Sequence, residues 1–366
     1  MDLPGRPGVI RIYDHSRDPR PLLRLLAEPL RRLKAEQWVP LVHVRRGWLG
    51  GSHLQVVLRP LQSNTLRPDG FAALAAELAG ALPAAPPDEA AYQARAAELG
   101  RWENVEPPFP PVRPQGHVEV SDQDPHPGWA PALVQARDQL SAHLLEPVLG
   151  SAALEGTDVL RHLARVLALL ARSHPYGVGV GTLPYRSHVE GVMSAVGART
   201  DLRTVFRSRY AQDAGFFAAA VTGERPEDEA AVLDAWRLGF ARCWGAAEAM
   251  TAAGLVDEAV LAAVGAVTAP TDDRPVPSPF HSAAHHSGLT AQEPYWQIAH
   301  RLVLNTLYTA LTCFGISPLQ RYYLCFGLSE AADELLGESW LERLAGFADR
   351  ELPDHVRTAA EATSGR

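Results

Sequence analysis

The spacing of apolar residues changes once along this chain of 366 residues, and that change restricts the possible folds more than any single motif. Before residue 106, short apolar runs with strand-like alternation are interspersed with helical stretches. From Trp129 onward, nearly all apolar residues recur at helical spacing. We therefore predict an α+β protein, in which a small N-terminal β-α-β-β-α sheet module is joined to a larger, mostly α-helical body.

The sheet module is predicted to cover residues 1–105. Its elements, in order, are a strand at 9–15, a helix at 21–34, two strands at 39–44 and 54–58 joined by a hairpin connection, and a helix at 71–82. This order favours a small sheet with helices on one face.

A proline-dense connector follows, EPPFPPVRP at 106–114, and we expect it to be extended. Residues 117–121 alternate like one more strand, so the connector is assigned to 106–128 and the helical body to 129–366. Helices are predicted at 131–149, 155–173, 185–197, 201–222, 227–253, 255–267, 291–313, 318–336 and 338–350. The polar stretch at 268–290 is predicted to be a long loop, and such loops are usually functional or disordered.

Composition excludes several classes of protein. No apolar run reaches the ~20 residues that span a bilayer, and the N-terminal residues lack the apolar region of an export signal, so we expect a cytoplasmic protein without a membrane partner. The cysteines are three in number and lie in apolar helical contexts, which predicts buried thiols. Lys34 is the only lysine, which leaves almost no room for Schiff-base chemistry or a phosphate-binding loop.

The charge is distributed unevenly along the chain. The net charge is −8, but residues 1–60 carry 11 basic and 5 acidic side chains. A basic module on an acidic body predicts a local anionic partner such as an acidic peptide, and argues against nucleic acid. Arg31, Arg32, Arg45 and Arg46 are the candidate contacts. A solvated helix face around Arg24, Arg31 and Arg32 is an equally good interpretation.

Residues 301–334 are predicted to form two apolar helices joined at Phe314 to Pro318. Ser317 can cap the second helix, Pro318 suits its first turn, and Gly315 can close the first helix. Several polar groups interrupt this apolar block: His300, Arg301, Asn305, Tyr308, Arg321, Tyr322, Tyr323 and Glu330. They favour a pocket that holds a peptide and moves protons. The alternative is that the tyrosine rings only fill the core.

Two further segments carry candidate chemistry. His281, His285 and His286 could face one metal ion, but no cysteine or HExxH glutamate accompanies them, so no metal site is predicted. Ser287 and Tyr295 flank the predicted start of a helix, where developing negative charge is favoured.

The segment at 177–190 combines a glycine-rich run with ionisable residues. The run GVGVG at 177–181 is not a GxGxxG motif, so it indicates a backbone that a ligand approaches or a tight connection. Arg186, His188 and Glu190 fall within one helical turn and could perform acid–base work, or could lie on an ordinary surface helix. A GxSxG elbow is absent from the sequence.

The segment GGSHLQVVLR at 50–59 resembles the strand in the C-terminal elimination domains of lantibiotic dehydratases and in related stand-alone thiopeptide enzymes. In that strand, which typically contains HLRLR, the arginines bind the glutamyl ester that is expelled. This chain has Gln55 and Val57 at those places, which argues against glutamate elimination. The resemblance makes His53 and Arg59 candidates for substrate binding.

The C-terminal block resembles thiopeptide-maturation pyridine synthases. The resemblance rests on Asn305, the run SPLQRYY at 317–323 and Glu330, with YRSHVE at 185–190 as weaker support. It implies a formal [4+2] cycloaddition between two dehydroalanines of a modified precursor peptide, followed by loss of water and of the leader peptide. It implies neither a metal nor a redox cofactor.

Under that resemblance, each candidate residue receives a role. Tyr295 and one of Tyr322 and Tyr323 are proton donors, Ser287 orients the amide, His188 is a base, and Arg186, Arg301, Arg321 and Asn305 bind the substrate. The basic module would bind an acidic leader, and a homodimer or a complex with other biosynthetic enzymes is compatible with this role. Two alternatives stay open, a glutamate-eliminating lyase and a non-catalytic partner that binds the precursor.

Overall fold

The computed structural model describes residues 8–35, 41–59, 69–83, 88–103, 105–121, 131–196, 201–256, 278–286 and 295–351. The chain forms two compact units. The first comprises Met1–Glu155, Leu238–Asp272 and Ile298–Gly315, and the second comprises Gly156–Arg237, Asp273–Gln297 and Ile316–Arg366. These units divide the chain differently from the three predicted segments, whose functional meaning stays a prediction.

The first unit contains the predicted sheet. Its four strands are β1 (Gly8–Tyr13), β2 (Leu41–Gly47), β3 (His53–Arg59) and β4 (Val118–Ser121). They pair antiparallel in the order β2-β3-β1-β4. All seven residues of β3 are buried, because this strand is central and both of its faces are covered. The α+β class with a helical body is confirmed.

Among the described residues, five helices belong wholly to the first unit: α1 (Arg20–Ala35), α2 (Asp69–Gly80), α3 (Glu89–Glu103), α4 (Pro131–His143) and α5 (Leu145–Ala153). Helix α3 was not predicted, because its alanine-rich sequence has no apolar stripe at helical spacing. The Asp88 carboxylate accepts hydrogen bonds from two backbone N–H groups of its first turn, which stabilises its start. The single helix predicted at 131–149 is interrupted at Leu144.

The second unit is helical. It contains α6 (Val159–Arg172), α7 (Gly177–Gly181), α8 (Leu183–Val196), α9 (Leu202–Thr222), α11 (Pro279–His286), α13 (Pro318–Leu336) and α14 (Trp340–Glu351). Helices α10 (Ala230–Ala252) and α12 (Tyr295–Leu311) contribute residues to both units. Within the ranges given above, no helix has the length and apolar character needed to cross a membrane.

Two segments predicted to be irregular or glycine-rich, 268–290 and 177–181, each contain a helix. The predicted loop at 268–290 contains α11, and the predicted helix at 255–267 falls almost entirely outside the described residues. The run GVGVG forms the short helix α7, and a Cβ atom on Gly181 would lie 2.0 Å from the carbonyl oxygen of Ala171 on α6. This glycine therefore permits a close contact between two helices.

The predicted start of α13 is confirmed in detail. The Ser317 hydroxyl accepts a hydrogen bond from the Gln320 backbone N–H, and the Gln320 side chain accepts one from the Ser317 backbone N–H. Pro318 occupies the first turn, and Gly315 has the left-handed conformation with φ 72°. All three cysteines are buried thiols, as predicted.

Helix α13 is the central element of the second unit, where it packs against α6, α8 and α9. The rings of Tyr323 and Phe326 contact Phe206 on α9, with centroids 5.6 Å away in both pairs. Gly327 lies against the Phe217 ring, where a Cβ atom would be only 2.3 Å from the nearest ring carbon. The close approach of α9 and α13 therefore requires a residue without a side chain at 327.

We expect Gly327→Ala to lower the free energy of unfolding by about 1–3 kcal/mol, because the added methyl group would overlap the Phe217 ring. Gly215→Ala is a matched control on exposed α9 surface, where no atom lies within 4 Å of the added carbon. Because alanine favours helices, the control should gain up to about 1 kcal/mol. Urea denaturation measures both, and changes of the same sign would contradict the packing described for α13.

Candidate active site

One face of the sheet carries a group of buried polar side chains. The register pairs Gln55 with Arg11 on one side and with Arg45 on the other, and it pairs Tyr13 with His53. Because alternate residues of a strand share a face, these side chains lie together. We call Tyr13, Arg45, His53, Gln55 and Glu119 the sheet cluster.

Hydrogen bonds determine which ring nitrogen of His53 carries the proton. Its Nδ1–H donates to the carbonyl oxygen of Gly51 at 2.9 Å, so its Nε2 accepts the N–H of the Gln55 amide, also at 2.9 Å. The other end of the Gln55 amide accepts a hydrogen bond from Arg45 Nε. Burial lowers the pKa of His53 to about 4, and the ring is therefore neutral at neutral pH.

A second hydrogen bond joins Tyr13 to the edge strand. The Tyr13 hydroxyl donates to Glu119 Oε2 at 3.0 Å, and its ring lies 4.9 Å from the His53 ring. Burial, followed by the charge of Glu119, raises the pKa of Tyr13 to about 12. Arg113 and Arg11 pair with Glu119 at 2.7 and 3.7 Å, so the carboxylate is ionised beside a neutral phenol.

The predicted substrate-binding residue Arg59 lies at the other end of β3. Its guanidinium is bound to the fully buried carboxylate of Asp138 on α4, which also pairs with Arg137 and His43. Although burial acts in the opposite direction, the His43 hydrogen bond and the arginines hold the pKa of Asp138 below its usual range. Arg59 thus anchors α4 to the sheet, and its role toward a substrate stays a prediction.

The four arginines assigned to leader binding have different surroundings. Arg31 and Arg32 on α1 are exposed, and Arg31 pairs with Glu146 at 3.0 Å. Arg45 is buried in the sheet cluster, and Arg46 donates to the Ser52 hydroxyl. Burial lowers the pKa of Arg46. Of these four side chains, the two on α1 are exposed, and contact with a charged peptide requires an exposed side chain.

In the second unit, Arg186 on α8 is at the centre of a buried ion network. Its guanidinium pairs with Glu330 at 2.6 Å and Asp333 at 3.1 Å, both on α13, while Glu190 lies at 3.8 Å. Asp333 also pairs with Arg343 on α14. We call these five residues the helix cluster. The role of Arg186 in substrate binding stays a prediction, although carboxylates already hold its guanidinium.

The structure does not gather the predicted tyrosines into one constellation. The Tyr323 hydroxyl donates to Asp213 at 2.7 Å while its ring lies in the aromatic core, which matches the alternative of a packed tyrosine. Tyr322 is half-buried, and Arg321 lies over its ring at 5.1 Å. Both proton-donor roles stay predictions.

The remaining predicted residues are distributed along α8 and α12. His188 is half-buried on α8. On the part of α12 that belongs to the first unit, Arg301 is half-buried and Asn305 is exposed. Tyr295 begins α12, but its side chain and all of Ser287 lie outside the described residues. Their assigned roles stay predictions.

The sequence did not reveal a third arrangement, which lies between α8 and α11. His281 is held between two hydroxyl groups, with Ser187 Oγ 3.0 Å from Nε2 and Ser278 Oγ 2.6 Å from Nδ1. Ser187 and His281 are 94 residues apart, so no local pattern could have paired them. Among the described side chains no group of three metal-ligating residues occurs, and the side chains of His285 and His286 lie outside this set.

Comparison with known proteins identifies the fold. No protein-family model and no curated protein sequence matches the chain. The structure is similar to that of the pyridine synthase TbtD from thiomuracin biosynthesis, with a TM-score of 0.66 and 19% identity over 91% of this chain and 99% of that one. It is also similar to TsrL, with a TM-score of 0.59 and 14% identity over 95% and 99%.

The tRNA-dependent lantibiotic dehydratase MibB from Microbispora sp. 107891 matches at a TM-score of 0.43 and 16% identity, over 92% of this chain and 29% of that one. The likeness to TbtD and TsrL covers nearly the whole of each chain. The chain therefore has the fold of a pyridine synthase of known structure, which confirms the relationship that the resemblance predicted at the level of fold.

The neutral state of His53 predicts a pH dependence of stability. Because its pKa is about 4 in the folded chain and about 6.5 when unfolded, the unfolded chain binds this proton first as the pH falls. Stability is therefore lost between pH 6.5 and 4, and His53 alone should account for about 2 kcal/mol between pH 7.5 and 5. Urea denaturation measures the free energy of unfolding of wild type and of His53→Gln at both pH values. The decrease between the two pH values should be smaller by about 2 kcal/mol in His53→Gln. Equal differences in both proteins would contradict the assignment.

Proposed function

We propose that this protein is a thiopeptide-maturation enzyme. It catalyses a formal [4+2] cycloaddition between two dehydroalanines of a modified precursor peptide, and the central pyridine and macrocycle form with loss of water and of the leader peptide. The observation that carries the proposal is the likeness to the pyridine synthase TbtD, which extends over 91% of this chain and 99% of that one. The sequence patterns at 50–59 and 317–323 support it independently.

The proposed reaction makes two physical demands on the enzyme. Closing a large ring costs conformational entropy, so the enzyme must hold both reacting segments of one peptide in a productive geometry. One backbone amide must also shift a proton from nitrogen to oxygen, which requires an acid–base group within hydrogen-bond distance. Neither demand requires a metal or a redox cofactor. The roles that the sequence analysis assigns to Ser287, Tyr295 and His188 stay predictions.

The sheet cluster favours cycloaddition over glutamate elimination. A site that expels glutamate benefits from guanidinium groups that bind the leaving carboxylate at two points. At the two positions where the strand that β3 resembles carries arginines, this chain has Gln55 and Val57. One end of the Gln55 amide is hydrogen-bonded to Arg45 and the other end to His53. The neighbouring guanidinium of Arg11 lies near Glu119. The alternatives are a glutamate-eliminating lyase and a non-catalytic precursor-binding partner.

Mass spectrometry of a dehydrated, full-length precursor peptide incubated with the purified protein tests the proposed reaction. We expect the core peptide to lose the mass of its leader together with one water, because the ring becomes aromatic only when both leave. Boiled protein serves as the control. Loss of glutamate alone from a glutamylated precursor would instead support elimination, and an unchanged peptide that nevertheless binds would support the binding partner.

The exposed arginines of α1 support a site for an acidic leader. The N-terminal 60 residues carry the excess positive charge of the chain, and Arg31 and Arg32 present it on one exposed helix. Charge attraction at an exposed surface acts over about 8 Å at physiological ionic strength, so it accelerates encounter and weakens with salt. We therefore propose α1, rather than Arg45 or Arg46, as the leader-binding element.

We expect Arg32→Glu to raise the Kd of a fluorescently labelled acidic leader peptide by about threefold to tenfold at low salt, as measured by anisotropy. The difference from wild type should shrink at 0.5 M salt because exposed charges are then screened. Arg207→Glu, an identical charge reversal on exposed α9, is the control and should leave the Kd within twofold. Similar effects of both substitutions would show that only net charge matters.

A further inference from the structure

His281 has a hydroxyl group as the partner of each of its two ring nitrogens. His53 donates to a carbonyl oxygen, and His43 and His162 bind carboxylates. Carbonyl and carboxylate oxygens only accept hydrogen bonds, whereas a hydroxyl group can donate or accept by rotating. Two hydroxyl neighbours therefore suit both the neutral and the protonated ring of His281.

The Ser278 side of this arrangement is buried, whereas the His281 side is exposed. Ser278 is buried, and its Oγ also accepts the backbone N–H of His281 at 3.3 Å, which caps the first turn of α11. Phe280 anchors α11 in the apolar core against Trp340. His281 itself is exposed and Ser187 is half-buried, so a substrate can reach this end of the arrangement.

The surface of α8 beside Ser187 has no side chain at the next helical turn. Gly191 follows Ser187 by one helical turn, and the nearest atom of His281 would be 3.5 Å from a Cβ atom built on this glycine. Partial burial lowers the pKa of His281, while the charge of Glu190 acts in the opposite direction. In the neutral ring, the nitrogen that carries no proton has the lone pair that can accept one.

We infer that Ser187 and His281 form the proton shuttle for amide tautomerisation, and that Ser278 positions the ring. This inference rests on the proposed function, and its substrate is the amide of the precursor peptide that becomes the 2-azadiene.

The proton balance of the step is complete. In the proposed step the ring carries its proton on Nδ1 and donates it to the Ser278 hydroxyl, so Nε2 is the base. The amide N–H bond breaks, its proton passes to the Ser187 oxygen, and the Ser187 proton passes to Nε2. The imidazolium then returns one proton through Ser187 to the amide oxygen, as the C=N bond forms and the C=O bond becomes C–OH. No other reactant is needed, and both N–H groups of the imidazolium find hydroxyl acceptors.

The test compares single-turnover rates on the dehydrated precursor, measured by mass spectrometry with the full chain. We expect His281→Ala to slow turnover by roughly 10²–10⁴-fold, the range for a lost general acid or base. Added imidazole should restore at least about tenfold of that loss, because a free ring can enter the vacated space, an effect that a structural role would not produce. Ser187→Ala should slow the reaction by at least about tenfold. Ser282→Ala, on the same helix, should stay within twofold.

The outcomes separate the two proposals. If wild-type protein leaves the precursor unchanged, the proposed function is overturned and the shuttle with it. If wild type turns over but His281→Ala and Ser187→Ala both stay within threefold of it, only the shuttle is overturned. A slow His281→Ala that imidazole does not restore, beside a Ser187→Ala of normal rate, also overturns the shuttle. If His281→Ala does not fold, as judged by circular dichroism, the rate of Ser187→Ala decides.

Discussion

The buried guanidinium of Arg186 is the constraint on which the geometry of the second unit depends. A charge that is only 2% exposed must be compensated by carboxylates in well-defined positions, and Glu330 and Asp333 on α13 provide them. These ion pairs fix the rotation of α8 about its own axis. Because successive residues of a helix are separated by roughly 100°, Ser187 is then directed toward α11, where it meets His281. The position of Ser187 in the proposed shuttle therefore depends on the burial of Arg186, the preceding residue.

The sheet cluster differs in charge from the strand that the β3 segment resembles. The β3 segment resembles a glutamate-binding strand, yet at position 55 the guanidinium is replaced by an amide whose two ends bind Arg45 and His53. A neutral, fully hydrogen-bonded amide can be buried at little cost, whereas a second guanidinium beside Arg45 would need another carboxylate. The strand that β3 resembles and β3 itself therefore differ in charge at position 55.

Local signals in the sequence predicted the elements that depend on local interactions. Ser317, Pro318 and Gly315 mark the helix boundary at 315–318, because capping involves groups only a few residues apart. Alternation located β1 and β4, and short apolar runs located β2 and β3. Helix α3 was missed because its stability comes from alanine propensity and the Asp88 cap instead of an apolar stripe. The split of the chain into two units was not predicted either, because it depends on contacts between distant segments.

The sequence by itself determined the α+β class, the helix and strand types, the buried thiols and the presence of Gln55 and Val57 on β3. Only the tertiary structure decided the partners of the ionisable groups: Asp138 for Arg59, Asp213 for Tyr323, and Ser187 for His281. The physical reason is the distance along the chain over which each interaction acts. Backbone hydrogen bonding and apolar periodicity act between residues close in sequence, whereas buried charges and hydroxyl groups are satisfied by whichever side chain packing brings within about 3 Å.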